Sequence, residues 1–265
     1  MTVQMLFYEK AVPVSSGRHA GCSVDVSGYA FCRKVNSVPL TAVEFRSVAA
    51  EYPIVFAAAG EIVQPVVVLG LRKDENLFVS GDGGWQGRYI PGFVRRYPFV
   101  FSTTGEQDKR FVLCVDEAFA GFNRDGRGEA LFTAEARPSP YVGKVLRFLQ
   151  DYRAQFLRTQ AFGRRLKDLN LLEPVQVRID VAGPGAPLSL GGFSTVNRTR
   201  LKALPGDKLG ELARNDELEL LYLHLQSLRN FEALRGRLPA QPATADDLSS
   251  LAPATGSEGH RAMLH

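Results

Sequence analysis

Several features are scarce in this sequence of 265 residues, and each absence narrows the class of protein. The three cysteines, Cys22, Cys32 and Cys114, are an odd number without a CxxC spacing, which excludes a disulfide scaffold and favours a reducing compartment. The longest apolar runs are far shorter than the roughly 20 residues of a membrane span, and the N-terminus shows no signal-peptide pattern. We therefore expect a cytoplasmic protein without a membrane span. Export to the cell surface by a route that needs no signal peptide is the alternative.

Histidines and cofactor motifs are also scarce. Of four histidines, two lie near the C-terminus, which leaves His19 and His224 for imidazole chemistry. The glycine loop at residues 81–84 is not followed by the lysine and hydroxyl residue of a phosphate-binding loop. His19 with Cys22 and Cys32 would supply three zinc ligands but no fourth. We therefore predict no metal and no cofactor, and the sequence favours a protein that is not an enzyme.

Neither sign of charge is in large excess. The 32 basic and 28 acidic residues give a net charge of +4, a mild bias that predicts no nucleic-acid partner. With 45% hydrophobic residues, the chain can bury a large core without a metal or a disulfide. Residues 239–265 differ, because they contain no Val, Ile, Phe, Tyr or Trp. A segment of this composition cannot build a core, so we predict a disordered tail after Leu238.

Short apolar runs bounded by Gly, Pro, Asn and Asp fill the first half of the chain, which is typical of strands and tight turns. Residues 65–71 and 76–79 flank a polar turn and predict one hairpin. Residues 99–101 and 110–115 predict another. Residues 174–181 alternate between apolar and polar types, which predicts a half-exposed strand. We therefore expect a sheet that is antiparallel or mixed.

Three helix starts are visible in the sequence. Thr41–Glu44 has the spacing of a capping box, and Ser139, followed by proline, predicts the N-terminus of a long helix. Asn215 begins a last helix that continues through the leucines up to Leu234. Together with the strands, this pattern predicts a single α+β domain over residues 1–238, in which the sheet packs against the two main helices, followed by the disordered tail.

Interleaved arginine and aromatic residues make the segment 81–99 unusual. Arg95 and Arg96 offer forked donors for a carboxylate or phosphate. If they lie on a strand, neighbouring side chains face opposite sides of the sheet, so one would line a binding cleft and the other would be structural. The alternative is that both arginines pair with Glu44 and Glu51 of the capping-box helix.

Aromatic residues of the same segment could form the walls of such a cleft. Trp85, the only tryptophan, offers a flat stacking face together with Tyr89 and Tyr97. We predict that these residues, with Glu44 nearby, bind a small acidic or aromatic ligand or a protein partner. The alternative is that the aromatic rings fill the core.

A polar stripe on the last predicted helix is a second candidate. His224, Ser227 and Asn230 recur at three-residue spacing, so they lie along one face beside the leucines. One interpretation is helix capping or hydrogen bonding to a neighbouring loop. The other is a polar wall of the binding cleft.

Six segments carry a family resemblance: Val38-Pro-Leu-Thr-Ala-Val-Glu44-Phe, Glu51-Tyr-Pro-Ile-Val-Phe56, Leu69-Gly-Leu, Glu75-Asn-Leu-Phe-Val79, Tyr89-Ile-Pro-Gly-Phe-Val-Arg-Arg-Tyr-Pro-Phe99 and His224-Leu-Gln-Ser-Leu-Arg-Asn230. Together with Trp85 they resemble the SapC family of bacterial proteins, over roughly residues 6–238. The resemblance implies association with a paracrystalline surface layer, or with TonB-dependent uptake, and it implies no assigned biochemical activity.

These observations favour a non-catalytic binding or accessory protein in the surface-layer or uptake setting that the resemblance implies. The alternative is an enzyme, or an enzyme partner, that acts on a small acidic or aromatic metabolite in the Trp85–Phe99 cleft. A binder is favoured because the sequence offers two usable histidines and no cofactor motif.

Overall fold

The computed structural model describes residues 6–103, 111–180 and 187–238, and this part of the chain confirms the predicted α+β class with antiparallel sheets. The tail predicted for residues 239–265 lies outside the described residues. The strands are β1 (Ala11–Pro13), β2 (Ser23–Val24), β3 (Ser37–Pro39), β4 (Ile54–Ala59), β5 (Ile62–Val68), β6 (Phe99–Thr103), β7 (Phe111–Asp116), β8 (Phe122–Asn123), β9 (Glu129–Ala130), β10 (Leu172–Ile179) and β11 (Leu188–Val196). The α-helices are α1 (Ser16–His19), α2 (Phe45–Val48), α3 (Gly92–Arg95), α4 (Pro140–Asp168), α5 (Arg198–Lys202), α6 (Gly206–Arg214), α7 (Glu217–Ser227) and α8 (Asn230–Arg235).

The described residues form two compact units. Unit 1 contains the described residues up to 31 and those from 94 to 154, and unit 2 contains residues 32–93 and the described residues from 155 to 238. The chain passes three times from one unit to the other, and α4 contributes residues to both. This interleaving agrees with one domain and not with two consecutive domains.

Unit 1 contains two small antiparallel sheets, with the strand orders β1-β7-β6 and β8-β2-β9. The predicted hairpin of β6 and β7 is confirmed, with Phe99 opposite Val115. The hydrophobic core of unit 1 is built mainly from aromatic and β-branched side chains, including Tyr97 and Phe101. Leu149 of α4 belongs to the same core, so the first part of the long helix closes this unit.

Unit 2 is organised around a five-stranded sheet with the order β10-β11-β4-β5-β3. Strand β4 lies at its centre, and its apolar side chains from Ile54 to Ala57 are buried, as expected for a strand that is covered on both faces. Strand β10 lies at the edge and alternates between half-buried and exposed residues, as predicted. Pro174 fits this edge position because proline has no N–H to donate to a further strand.

One predicted hairpin is wrong. Strand β5 pairs with β4 and β3, whereas residues 76–79 form only a single bridge, between Val79 and Trp85. The reason is local, because the Glu75 carboxylate accepts hydrogen bonds from the backbone N–H groups of Leu71 and Arg72. These bonds close the turn on a side chain in place of a second strand.

The helix starts follow the sequence signals. The predicted capping box is present, with the Glu44 carboxylate accepting from the Thr41 backbone N–H, and Ser139 accepts from the N–H of Val142 at the start of α4. The single helix predicted from Asn215 is instead two helices, α7 and α8. Helices α5 and α6 were not predicted, although the cap of α5, where Asn197 accepts from a backbone N–H, has a recognisable sequence signal.

Helix α4 approaches β5 so closely that only glycine fits at one position. A Cβ on Gly163 would lie 2.1 Å from the carbonyl oxygen of Val63, whereas a Cβ on Gly143 of the same helix would meet nothing nearer than 3.9 Å. We expect Gly163→Ala to lower the free energy of unfolding by about 1–3 kcal/mol through overpacking. Gly143→Ala is the matched control and should raise it by about 0.5–1 kcal/mol through helix propensity. Chemical denaturation measures both, and equal effects would contradict the packing.

Candidate functional site

Residues 85–89 form a loop in unit 2, which we call the Trp85 loop. The side chain of Tyr52 supports this loop by hydrogen bonds. The buried Tyr52 hydroxyl donates to the carbonyl oxygen of Tyr89 at 2.5 Å, and the Trp85 indole N–H lies 3.1 Å from the Tyr52 oxygen. Burial raises the pKa of Tyr52 well above its ordinary value, so this hydroxyl stays a neutral donor. A Cβ on Gly87 would lie 1.9 Å from the Tyr52 oxygen, so glycine alone permits this approach.

Glu44 anchors the end of the same loop. Glu44 is 4% exposed, and one carboxyl oxygen accepts from the Tyr89 hydroxyl at 3.0 Å and from the Gly92 backbone N–H at 2.6 Å. The other oxygen accepts from the Thr41 N–H and hydroxyl at 2.9 and 2.7 Å. Glu44 therefore joins the start of α2 to the end of the Trp85 loop and to Gly92 beyond it, and both of its oxygens are engaged in structural bonds.

The outer side of the Trp85 loop is accessible. Trp85 is half-buried, and its ring lies parallel to the Phe78 ring with 6.1 Å between their centres. Arg88 and Gln86 are exposed, although the Arg88 backbone N–H is fixed on Glu51 at 2.8 Å. The loop thus has a rigid inner side and an outer side that presents an indole ring, an amide and a guanidinium group.

Arg237 closes one end of this surface. Its guanidinium carbon lies 4.2 Å from the centre of the Phe78 ring, and it approaches the Glu51 carboxylate to 3.6 Å. It also donates to the carbonyl oxygen of Gln86 at 3.4 Å. Arg237 is therefore an arginine that pairs with Glu51, a partner that the sequence analysis did not predict.

Arg95 and Arg96 belong to unit 1, and the strand assumed for them is wrong. Arg95 ends the short helix α3, because Gly92 begins a helical turn instead of a strand. Arg95 is exposed, with its guanidinium carbon 5.2 Å from the centre of the Phe148 ring. Arg96 is 7% exposed and lies over the rings of Tyr8 and Tyr152, at 5.7 and 5.4 Å. One arginine is thus exposed and the other buried, although Arg95 ends a helix and Arg96 lies in the turn that follows it.

Tyr97 is buried in the core of unit 1. Its hydroxyl donates to the Asp116 carboxylate at 3.2 Å, and burial raises its pKa well above the ordinary value. The fully buried Asp116 also accepts from the backbone N–H groups of Glu9 and Lys10, at 2.8 and 2.9 Å. Tyr97 therefore fills the core, as the alternative interpretation of the aromatic residues expected.

The polar stripe of His224, Ser227 and Asn230 is buried in unit 2 and bonds to the backbone around the start of β4. His224 Nε2 accepts from the Val196 N–H at 3.0 Å, so Nδ1 carries the hydrogen and donates to the Ile54 carbonyl oxygen at 2.8 Å. Ser227 accepts from the Ile54 N–H at 3.0 Å.

Asn230 completes this arrangement. Its side-chain amide donates to the carbonyl oxygens of Ala49 and Tyr52, at 2.9 and 3.1 Å. These contacts fit the interpretation of the stripe as hydrogen bonding to a neighbouring segment. They also fix the backbone of Tyr52, whose side chain supports the Trp85 loop.

Neither a metal-binding cluster nor a membrane-spanning helix occurs among the described residues. Within residues 6–103, 111–180 and 187–238, no three His, Cys, Asp or Glu side chains lie close enough together to hold a metal ion. The three cysteines are buried and free, and burial raises the pKa of the Cys32 thiol to about 12. None of the helices described is both long and apolar enough to span a bilayer.

Comparison with known proteins decides the family. The family model described as SapC matches residues 14–234, which is most of the chain. The chain belongs to the SapC family. Arg237 lies just beyond the matched range, whereas the Trp85 loop and its supports lie within it. No curated protein and no solved structure matches this SapC chain.

Sequence reasoning missed several residues of the candidate site in this SapC chain. Tyr52 and Phe78 were part of the family segments but were not singled out, because an aromatic residue beside an apolar run resembles ordinary core. Arg237 was missed because it stands alone near the end of the chain. Glu51 was considered only as a partner for Arg95 or Arg96, so its contacts with Arg237 and with the Arg88 backbone N–H were missed.

Titration of His224 should make the stability of the protein depend on pH. Burial lowers the pKa of His224 to about 4, so the folded state keeps it neutral while the unfolded chain protonates it below about pH 6.5. The unfolded chain then binds the extra proton, and stability falls by about 3 kcal/mol as the pH falls from 6.5 to 4. His224→Gln, which keeps one donor and one acceptor, should lose this part of the slope in denaturation curves. His19, whose pKa is also lowered by burial, remains in both proteins as a common background.

Alanine variants at the two arginines of the family motif should differ in thermal stability. We expect Arg96→Ala to lose about 2–4 kcal/mol, because it removes a buried guanidinium from two aromatic rings. Arg95→Ala should lose less than about 1 kcal/mol, since its side chain is exposed. Arg96→Lys keeps the charge without the planar stacking and should fall between the parent and Arg96→Ala. Equal melting of the two alanine variants would show that the burial assigned to Arg96 is wrong.

Proposed function

We propose that this SapC-family chain is a binding or accessory protein without catalytic turnover, and that the Trp85 loop is its recognition surface. The surface-layer association after which the family is named, or the TonB-linked uptake that the resemblance implies, is the setting in which we expect it to act. The ligand that suits the loop carries an acidic group next to an aromatic or apolar group, on a small molecule or on a partner protein.

The observation that carries this proposal is the rigid inner side of the loop. Tyr52, Glu44 and Glu51 hold its backbone and its Tyr89 hydroxyl by hydrogen bonds, while Arg88 is exposed. A surface that is already ordered loses little conformational entropy on binding, so more of the contact energy appears as affinity. Tryptophan and arginine are also the residue types that most often dominate binding energy.

The chemistry of the ligand follows from the two accessible side chains. The Arg88 guanidinium has the planar fork of donors that matches a carboxylate. The half-buried Trp85 ring offers a stacking face for an aromatic or apolar group. An aromatic carboxylate, or an acidic peptide with an aromatic residue, satisfies both groups at once.

Binding is favoured over catalysis because the buried titratable groups of unit 2 are already engaged. Both oxygens of Glu44 accept two hydrogen bonds each, and both ring nitrogens of His224 bond to backbone groups. A general acid or base needs an atom within hydrogen-bond reach of the substrate. The Glu44 oxygens and the His224 nitrogens could reach a substrate only by giving up hydrogen bonds that hold the fold together.

Fluorescence of the single tryptophan provides the test, since Trp85 reports only on its own loop. We expect phenylacetate to change the Trp85 emission saturably, and glutarate, which has no ring, to bind more weakly. Arg88→Ala should weaken phenylacetate binding about tenfold, the loss expected when a charged hydrogen bond is removed. Arg158→Ala, at an exposed arginine elsewhere in unit 2, is the matched control and should bind like the parent.

The same samples test turnover. Phenylacetate and the acidic peptide acetyl-Asp-Phe-Asp-amide should be recovered unchanged after prolonged incubation. Conversion of either probe would favour the alternative, an enzyme for a small acidic or aromatic metabolite. If neither probe binds, or if Arg88→Ala leaves their binding unchanged, the Trp85 loop is not the recognition surface for this ligand class.

A further inference from the structure

A second arginine lies beside the Trp85 loop, in addition to the exposed Arg88. The guanidinium carbon of Arg237 lies 4.2 Å from the centre of the Phe78 ring, which is inclined by 18° to the Trp85 ring. Stacking on an aromatic ring holds a guanidinium group in place and leaves the nitrogens at its edge available to acceptors. The Arg237 side chain is 32% exposed, so one end of the loop has a fixed and accessible cation.

The contacts of Arg237 leave most of its donors unused. Its ion pair with Glu51, at 3.6 Å, and its hydrogen bond to the Gln86 carbonyl oxygen, at 3.4 Å, are both long, and both use Nη2. Within the part of the chain that the structure describes, Nε and Nη1 make no hydrogen bond, and neither is a buried atom without a partner. These two nitrogens are therefore open to an acceptor from solution.

Glu51 connects Arg237 to Arg88. One Glu51 oxygen faces Arg237, and the other accepts from the Arg88 backbone N–H at 2.8 Å. The exposed Arg88 side chain thus starts beside the carboxylate that Arg237 approaches, and none of the described residues bonds to its guanidinium group. An anion beside Glu51 therefore has both guanidinium groups within reach, and it does not have to displace Glu51 from Nη2 of Arg237.

The charges of this site favour a ligand with two negative charges. Arg88 and Arg237 contribute two positive charges and Glu51 contributes one negative charge, so their sum is +1. The electrostatic energy of a ligand in this field is proportional to its own charge, so a dianion gains about twice as much as a monoanion. A carboxylate has two oxygens, which match one guanidinium fork. A phosphate monoester has three acceptor oxygens and a charge of about −1.5 to −2 at pH 7, which suits two arginines.

We propose that Arg237 is a specificity-determining residue of the Trp85 loop, and that the acidic group of the ligand is a phosphate monoester on a small aromatic or apolar molecule. The Arg88 and Arg237 guanidinium groups share the phosphate, while the apolar part of the ligand stacks on Trp85. This inference rests on the proposed function and narrows its ligand class. It includes no bond-making step, because the ligand is bound and released unchanged.

Three ligands test the phosphate preference through Trp85 fluorescence at about pH 8, where a second phosphate pKa of about 6 makes phenyl phosphate a dianion. Phenylacetate is the carboxylate, and methyl phenyl phosphate keeps the ring and the phosphorus but has a single charge. We expect phenyl phosphate to bind about tenfold more tightly than either monoanion, the gain expected from one further charged hydrogen bond. Equal binding of phenyl phosphate and methyl phenyl phosphate would overturn the proposal.

Variants at Arg237 test its part in this preference. Arg237→Gln should reduce the preference for phenyl phosphate over phenylacetate from about tenfold to less than about twofold, because one of the two guanidinium groups is lost. Arg237→Lys keeps the charge without the planar fork and should retain part of the preference. Arg235→Gln removes an exposed arginine that pairs with Glu232, so it is the matched control and should keep the full preference. If Arg237→Gln weakens both ligands equally, Arg237 only holds the loop and the proposal is overturned.

The same titrations separate this inference from the proposed function. If phenylacetate binds through Arg88 but phenyl phosphate binds no more tightly, and Arg237→Gln changes neither affinity, the phosphate preference is refuted and the binding function stands. If phenyl phosphate binds with the expected dependence on Arg237 but phenylacetate does not bind, the carboxylate ligands of the proposed function are refuted and the phosphate site stands. Inorganic phosphate should compete with phenyl phosphate, and an absence of competition would overturn the shared phosphate contact.

Discussion

Burial of the Glu44 carboxyl group is the constraint on which the candidate site depends. A carboxyl group that is removed from water must have its oxygens bonded to donors, because an unsatisfied buried group costs several kcal/mol. Glu44 meets this demand with two donors from Thr41, one from Tyr89 of the Trp85 loop and one from Gly92, which follows the loop. The helix start and the loop are therefore fixed relative to each other by one side chain.

The same principle recurs at the other buried polar groups. His224, Ser227 and Asn230 bond to the backbone around the start of β4, where backbone groups would otherwise be buried without partners. In unit 1, Asp116 has this role for the segment that precedes β1. In each case a polar side chain organises backbone that no sheet or helix can satisfy. Polar residues that look reactive in the sequence are, in this fold, mainly structural.

Local signals in the sequence predicted local structure well. The capping box at Thr41, the cap at Ser139 and the alternation in β10 each depend on neighbouring residues, and each is present. The errors arise where distant contacts or side chains determine the backbone conformation. Glu75 closes a turn where a hairpin was predicted, and Arg95 lies on a helical turn because the backbone from Gly92 is held by Glu44.

The candidate site shows the same limit. Glu44, Tyr89 and Trp85 were predicted to lie together, and the structure brings them together. Tyr52 lies 37 residues from Tyr89 along the chain, and Arg237 lies 151 residues from Gln86. No spacing rule connects positions so far apart, because a sequence pattern reports periodicity within an element and not the packing between elements.

Family membership and ligand recognition rest on different residues of the same segment. The Arg-Arg-Tyr-Pro-Phe part of the motif lies in unit 1, where Arg96 and Tyr97 are buried among aromatic rings. Such residues are constrained by packing, so they identify the fold without specifying what it binds. Gln86 and Arg88 are exposed, and the bonds by which Glu51 and Arg237 hold them are made to backbone atoms, which every side chain at these positions would leave in place. A shared fold can therefore present different loops, and the ligand of this chain has to be sought through Trp85 and Arg88 and not through the family motif.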